Sequence, residues 1–112
     1  MIKLKRIYEE YEPADGYRIL VDRLWPRGIK KESSHVDLWL KELGPSDELR
    51  KWFNHDPAKW QEFKKKYHSE LSRKSDLLNE IRDAEKENKN VTILYGAKDT
   101  EHNQAVVIAE ML

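Results

Sequence analysis

The segment Asp22–Gly28, which reads DRLWPRG, places acidic, basic and aromatic side chains directly after the strand-like run YRILV. Arg23 and Arg27 could together grip a phosphate or a carboxylate, because a guanidinium matches those anions with two parallel hydrogen bonds. Asp22 could act as a general base, bind a metal ion or orient an arginine. The structural alternative is an internal Asp–Arg pair that stiffens the loop, with Trp25 in the core.

A second polar loop, Gly96–Asp99, follows the other compact apolar run, VTILY, and precedes a predicted helix. Gly96 allows a close approach to the backbone, and a helix N-terminus offers free N–H groups and a partial positive charge. Lys98 adds a full charge, so this loop also suits an anion. The structural alternative is that Asp99 or Thr100 caps the helix and that Lys98 is solvated.

His55 lies directly before Asp56 and Pro57, a pair that is typical of a helix start. It could carry protons, although a single histidine before a helix cap is more often a surface residue. His102 and Asn103 fall in the first turn of the last predicted helix and could reach the same pocket as the two loops. The four histidines are scattered along the chain, so their spacing supports neither a zinc site nor a metal phosphohydrolase.

The elements that must position these residues follow from the hydrophobic periodicity. Strands are predicted over Ile2–Tyr8, Tyr17–Val21, Val36–Leu43 and Val91–Tyr95. Helices are predicted over residues 47–55, from Asp56–Pro57 onwards, from Ser75 onwards and over residues 101–112. The predicted N-caps of the first three helices are Ser46, Asp56 and Ser75. This order predicts one α/β domain over residues 1–112, a three-layer Rossmann-like sandwich with a mainly parallel sheet and helices on both faces. Ligands of such folds bind at the carboxyl ends of the strands, where both polar loops begin.

Composition limits the classes of function. The 112 residues fit one domain, and the absence of cysteine excludes disulfides, thiolate metal sites and cysteine nucleophiles. The 21 basic and 21 acidic residues balance, which argues against general nucleic-acid binding. No P-loop or dinucleotide fingerprint is present. No apolar run approaches the roughly 20 residues that span a bilayer, and no signal peptide is evident, so we expect a soluble, cytoplasmic protein without a membrane partner.

Three stretches of the chain resemble, in order, the YeaO-like branch of domain of unknown function 488: DGYRILVDRLWPRGIKKE, WLKELGPSDELRKWFNHDPAKWQEFKKKY and VTILYGAKDTEHNQAVVIAEML. The resemblance covers nearly the whole chain and implies a small bacterial protein with a Rossmann-type α/β fold. The motif residues that it carries over are Asp22, Arg23, Trp25, Pro26, Arg27, Gly28, Trp52, Phe53, His55, Asp56, Pro57, Tyr95, Lys98, Asp99 and Asn103. Asn54 stands where relatives often carry a second histidine, which weakens any mechanism that needs a histidine pair, and Gly96 stands where alanine is common.

Two hypotheses place a function at the strand carboxyl ends. The first is a small enzyme that acts on an anionic or nucleotide-like substrate, held by the basic side chains and stacked on Trp25 or Tyr95. Its candidate catalytic residues are Asp22, His55 and Asp99, and its candidate substrate-binding residues are Arg23, Trp25, Arg27, Tyr95, Lys98 and Asn103. The second is a non-catalytic module that binds a small anion or a protein.

A third hypothesis gives the basic Lys59–Lys74 face an accessory role in nucleic-acid binding. Glu62 and Glu70 lie within that face and weaken this interpretation. The sequence identifies no cofactor and no metal site, and it leaves the oligomeric state open.

Overall fold

Four strands and four helices make up the fold, which a computed structural model describes over residues 1–112. The strands are β1 (Ile2–Arg6), β2 (Tyr17–Leu20), β3 (Leu38–Trp39) and β4 (Val91–Tyr95), and the helices are α1 (Asp47–Phe53), α2 (Trp60–Leu71), α3 (Ser75–Asn88) and α4 (Gln104–Glu110). Short 3-10 turns cover Pro13–Asp15, Lys31–Ser33, Lys41–Leu43 and Pro57–Lys59. None of the helices is long and apolar enough to cross a membrane.

The sheet is parallel throughout, with the strand order β1-β4-β2-β3. All five residues of β4 are buried, as expected for a near-continuous apolar run in the middle of a parallel sheet. Within it, Ile93 pairs with Leu4 on one side and with Ile19 on the other. β1 lies at the edge of the sheet. The predicted α/β class with a mainly parallel sheet is therefore confirmed.

Side chains of the central strands alternate between two unequal cores. Ile19 and Ile93 belong to a cluster of 19 buried residues to which all four helices contribute. Leu20 and Leu94 point the other way, into a cluster of three buried residues that is covered by the segment between β2 and β3. This segment, with its 3-10 turn Lys31–Ser33, makes a layer on the second face of the sheet, so the architecture is compatible with a three-layer sandwich.

The prediction of a strand over Val36–Leu43 is correct only for the two residues of β3. The chain leaves the sheet after β3 and forms the 3-10 turn Lys41–Leu43. The buried Tyr67 hydroxyl donates a hydrogen bond to the last carbonyl of the turn. This tertiary contact therefore fixes the course of the chain after β3, which the alternation of apolar and polar residues cannot predict by itself.

Two of the three predicted N-caps are confirmed. The Ser46 hydroxyl accepts a hydrogen bond from a backbone N–H at the start of α1, and the Asp56 carboxylate does the same in the turn that leads into α2. The third prediction is wrong, because Lys74 occupies the N-cap position of α3 and Ser75 is already helical. The Leu78 N–H donates to the Lys74 carbonyl at 3.1 Å, so the helical ladder begins one residue earlier than predicted.

A buried carboxylate, Asp15, ties three strands together near the amino end of β2. Its side chain accepts hydrogen bonds from Lys5 Nζ at 3.1 Å and from Arg18 Nη1 at 2.6 Å, and its carbonyl accepts one from the Thr92 hydroxyl at 2.7 Å. Burial alone would raise the pKa of Asp15, but the Glu12 backbone N–H and the surrounding cations outweigh it and lower the pKa to about 2. Asp15 is therefore ionised and holds β1, β2 and β4 together.

We expect Asp15→Asn to lower the free energy of unfolding by about 3 kcal/mol at pH 7, because breaking the buried ion pair leaves the Arg18 guanidinium without a carboxylate partner. Urea denaturation measures this loss. Asp83→Asn, which removes an exposed α3 carboxylate that has no ion pair, is the control and should change stability by less than about 0.5 kcal/mol. A loss no larger than that of the control would contradict the anchoring role.

The contribution of Asp15 to the free energy of unfolding should also depend on pH. The folded pKa of Asp15, about 2, lies below the ordinary aspartate value of 3.8, so its stabilisation is present above pH 4. It is lost as the pH falls from about 4 to about 2. The stability difference between the wild type and Asp15→Asn should therefore shrink over that range.

Candidate functional site

A cavity of about 440 Å³ opens at the carboxyl ends of β2 and β4. Its wall includes Asp22, Arg23 and Trp25 after β2, Gly96, His102 and Gln104 after β4, and Arg50, Lys51 and His55 at the end of α1. The two polar loops that the sequence singled out thus border one cavity, and α1 supplies a third side. The volume lies in the range of small-molecule sites, about 300–1,000 Å³.

Asp22 bridges the two strand ends at the cavity. The Val21 N–H still donates to the Leu94 carbonyl at 3.1 Å, and the next residue extends this pairing because Asp22 Oδ2 accepts the Gly96 N–H at 2.9 Å. Asp22 Oδ1 accepts a hydrogen bond from the side-chain amide of Gln104 in α4. Burial raises the pKa of Asp22 to about 6, against the opposing effect of these two hydrogen bonds. Both carboxylate oxygens therefore have structural partners.

Arg23 lines the cavity, but its guanidinium is engaged inside the protein. Its Nε donates to the Pro45 carbonyl at 3.0 Å and its Nη2 to the Gly44 carbonyl at 2.8 Å, while the Glu42 carboxylate lies 3.8 Å from Nη1. A side chain at Gly44 would come within 3.0 Å of the Arg23 backbone nitrogen, so the segment before α1 packs directly on Arg23. Arg23 thus fixes the position of α1 relative to the sheet.

Trp25 lines the cavity and is also fixed in the smaller core. Its indole N–H donates to the Ile29 carbonyl at 2.6 Å, and its ring meets Trp39 edge-on at 5.3 Å. Arg27 is exposed and does not line the cavity, although its carbonyl accepts a hydrogen bond from the Tyr8 hydroxyl at 2.9 Å. The structure therefore does not bring the predicted pair of arginines together around one anion.

The loop after β4 is organised by Asp99. Its Oδ1 accepts the backbone N–H groups of Glu101 at 2.9 Å and His102 at 3.0 Å, and its Oδ2 lies 2.9 Å from His102 Nδ1. The hydrogen bond from Glu101, followed by the contact with the His102 ring, lowers the pKa of Asp99. Asp99 caps this turn rather than α4, so the expectation that Asp99 or Thr100 caps the last helix is wrong.

Asn103 is the N-cap of α4, which begins later than the sequence predicted. Its Oδ1 accepts the Val106 N–H at 3.2 Å, and its Nδ2 donates to the Asp99 carbonyl at 2.9 Å. Asn103 also lines the cavity, but Tyr95, Lys98 and Asp99, which were predicted for the site, do not. Tyr95 is buried in the larger core, and Lys98 is exposed on the loop.

His55 reaches the cavity from the turn after α1. Asn54 is the left-handed C-cap of α1, with φ of 46°, and His55 follows with φ of 55°. Asparagine and histidine are among the residues that tolerate this conformation best. Arg50 and Lys51, in the last turn of α1, also line the cavity and were missed by sequence reasoning. Their position one helical turn before His55 is the signal that could have found them.

The start of α4 supplies two further polar side chains to the cavity wall. The His102 ring meets Trp60 edge-on at 5.2 Å, and Gln104 binds Asp22. Gln104 was missed because its partner lies far away in the sequence. Nowhere in the chain do three or more His, Asp or Glu side chains come together as a group that could hold a metal ion.

Lysines of the predicted basic face make contacts of their own. Nζ of Lys59 lies 5.2 Å from the Trp52 ring centre and Nζ of Lys66 lies 4.2 Å from it, which are cation–π distances. Lys64 pairs with Glu110 at 3.2 Å. The surface of α2 is thus not an uninterrupted row of free cations, and its role in nucleic-acid binding stays a prediction.

An all-parallel α/β sheet with a polar cavity at the carboxyl ends of its central strands defines a small Rossmann-like domain. A family model described as the inactive DUF488-N3 subclade matches residues 1–112, so the chain belongs to that family, and the resemblance found in the sequence is confirmed. The chain is 45% identical over 111 residues to the uncharacterized protein YeaO of Escherichia coli (strain K12), across 99% of this chain and 96% of the relative.

Mycobacterial relatives are also similar over nearly their whole length. The uncharacterized protein Mb3100c of Mycobacterium bovis is 38% identical over 111 residues, across 99% of this chain and 92% of the relative. The uncharacterized protein Rv3073c of Mycobacterium tuberculosis shows the same identity and coverage. No solved structure matches the chain.

We expect Asp22→Ala to lower the free energy of unfolding by about 1–3 kcal/mol at pH 7, because it leaves the Gly96 N–H and the Gln104 amide without their acceptor. Asp22→Asn offers the Gly96 N–H an oxygen, and a rotated Gln104 amide can accept from the new Nδ2, so this variant should lose no more than about 1 kcal/mol. Urea denaturation compares the two. Equal stability of the alanine and asparagine variants would rule out the bridging role.

The pKa of Asp22 also predicts a pH dependence. The folded protein holds this proton up to about pH 6, whereas an ordinary aspartate releases it near 3.8. The part of the stability that comes from the raised pKa of Asp22 is therefore complete below pH 4 and is lost as the pH rises from about 4 to about 6, whereas its hydrogen bonds to Gly96 and Gln104 remain at pH 7. Asp22→Asn should lack this component, which urea denaturation at several pH values can show.

Proposed function

We propose that this protein is a non-catalytic module that binds a small anionic or nucleotide-like ligand in the cavity at the carboxyl ends of β2 and β4. The observation that carries the proposal is the charge of the cavity wall. Arg23, Arg50 and Lys51 line it together with a single carboxylate, Asp22.

Cations on the α1 side of the wall are the ones open to a ligand. Lys51 has no ion-pair partner, and Arg50 pairs only with Asp47, at 3.2 Å between two exposed side chains. An exposed pair of this kind contributes about 0–1 kcal/mol, so a ligand oxyanion can compete for Arg50. Arg23 is already bound to two carbonyls. The proposed anion therefore lies near the end of α1 rather than between Arg23 and Arg27.

The apolar part of the wall suits a flat ring. Trp25, Phe53 and Phe63 line the cavity, and Pro26 and Pro45 add apolar surface beside them. Aromatic rings favour stacked or edge-on contacts with other planar groups. A ligand with a planar ring and an anionic group, as in a nucleotide, would use both the aromatic and the basic parts of the wall.

Contacts of Asp22 and Arg23 support binding without turnover. Both Asp22 oxygens accept hydrogen bonds from the protein, so this carboxylate has a structural role at the strand ends. The description of the matching family model as an inactive subclade supports the same interpretation. The Asp99–His102 pair favours the alternative, a small enzyme, because a histidine oriented by a carboxylate can act as a general base.

The proposal predicts that inorganic phosphate or adenosine monophosphate raises the melting temperature of the protein and binds measurably in calorimetry. Arg50→Ala combined with Lys51→Ala should weaken that binding at least about tenfold, which corresponds to about 1.4 kcal/mol. If neither compound binds the wild type, the proposal is wrong. Release of adenine or phosphate from adenosine monophosphate, followed by chromatography, would favour the enzyme instead.

A matched control removes the same charges elsewhere. Lys65 and Arg73 are exposed, lie outside the cavity and have no ion pairs, so Lys65→Ala combined with Arg73→Ala should leave the affinity within about twofold. Arg27→Ala should also leave it unchanged. An equal loss of affinity in the control and in the α1 variant would show a general charge effect and would contradict a site at the end of α1.

A further inference from the structure

His102 lies on the α4 side of the cavity and retains an unused ring nitrogen. Its side chain is 28% exposed, its Nδ1 faces Asp99 and its Nε2 makes no hydrogen bond within the protein. The neighbouring Asn103 uses its amide to cap α4 and to bind the Asp99 carbonyl. Gln104 donates its side-chain N–H to Asp22. On this side of the cavity, a ligand would therefore meet His102 Nε2.

Asp99 determines which nitrogen of the His102 ring carries the proton. Its carboxylate accepts two backbone N–H groups, and its lowered pKa keeps it ionised at neutral pH, so it can only accept hydrogen bonds. A neutral His102 then carries its proton on Nδ1, and Nε2 is an acceptor. The edge-on contact with Trp60, at 5.2 Å, holds the ring from the α2 side. Neutral His102, whose side chain lines the cavity, thus has an unused lone pair on Nε2.

The charges around His102 set the condition under which it becomes positive. Asp99, on its own turn, favours the imidazolium, and Trp60 adds no charge, although Lys64 lies 5.9 Å from the centre of the Trp60 ring. The other charged or titratable groups of the cavity wall are Tyr8, Asp22, Arg23, Arg50, Lys51 and His55. The basic members of this set oppose a further positive charge. An anion placed among them would offset this repulsion and favour protonation of the ring.

We propose that His102 takes up a proton when an oxyanion binds in the cavity and donates a hydrogen bond to it from Nε2, while Asp99 holds the Nδ1–H. The inference rests on the proposed function and deepens it by assigning to His102 the recognition of an unprotonated oxyanion, such as a phosphate or sulfate group. Binding is then linked to proton uptake. The affinity for an oxyanion should rise as the pH falls, by up to about tenfold per pH unit for one proton.

Nuclear magnetic resonance of the histidine ring nitrogens tests this directly in the full chain. Sodium sulfate is the probe, because sulfate has no proton to exchange near neutral pH and any proton taken up must reside on the protein. At a fixed pH of 7.5 we expect the imidazolium fraction of His102 to rise as sulfate is added, at the expense of the form with its proton on Nδ1. His102→Gln identifies the signals and should remove most of the pH dependence of sulfate affinity.

Two further variants separate recognition from a merely structural role. Asp99→Asn presents an N–H₂ group to His102 Nδ1 and so favours the tautomer with the proton on Nε2, which can bind sulfate without proton uptake. Sulfate affinity should then change little between pH 6 and pH 8. His55→Gln is the matched control from the same cavity. Asp22→Asn removes the carboxyl group whose pKa is raised to about 6. In both variants His102 should still become protonated when sulfate binds.

The outcomes distinguish this inference from the proposed function. If sulfate or phosphate binds in the cavity while His102 stays neutral, or if His102→Gln and His55→Gln alter the pH dependence equally, the role of His102 is wrong and the anion site stands. If sulfate, phosphate and adenosine monophosphate all fail to bind the wild type, both the site and the inference fall.

Discussion

The hydrogen bonds of the Asp22 carboxylate hold together the end of the molecule at which the cavity opens. Two parallel strands normally separate where their ladder ends, and the loops that follow them are then free to diverge. In this chain the side chain of Asp22 takes over the pairing one residue beyond the ladder, by accepting the Gly96 N–H, and it also binds Gln104. The loop after β2, the loop after β4 and the start of α4 are thereby fixed around one cavity.

The polar residues at the cavity therefore fall into two groups, those that bind within the protein and those whose charges remain free. Asp22 and Arg23 are the residues that most suggested chemistry in the sequence. Their charged groups form hydrogen bonds with N–H and carbonyl groups of the protein itself. Arg50 and Lys51 contribute charge to the cavity and make no such hydrogen bonds to the backbone. Both come from α1, a helix with an ordinary amphipathic sequence. A motif that is rich in reactive side chains can thus build the wall of a cavity without supplying its free charges.

The sequence predicted the parts of the fold that depend on local pattern. Four strand positions, a parallel sheet and a shared location for the two polar loops follow from apolar runs and from the rule for strand carboxyl ends. The prediction of α4 failed at its start because the side chain of Asp99 closes a separate turn before the helix. The role of Asp15 was not predicted, because the cations that hold it come from two different strands, β1 and β2.

Gln104, Arg50 and Lys51 show the same limit at the candidate site. Each one gains its position through a contact or a wall that forms only when distant segments meet, and the only local signal, for Arg50 and Lys51 alone, is their place one helical turn before His55. His55 could be placed in the site because its motif stood out locally. The family resemblance supplied the residues that share a motif, but it did not distinguish those that bind within the protein from those that face the cavity.

The strand order also affects when the sheet can form during synthesis. β1 is the first strand to leave the ribosome, yet its only partner in the sheet is β4, which lies near the other end of the chain. β2 meets β4 on its other side, so the two central pairings wait for the same late segment. Contacts between residues so far apart in sequence form slowly and late. A nascent chain that ends before Val91 therefore carries two strands whose common partner does not yet exist.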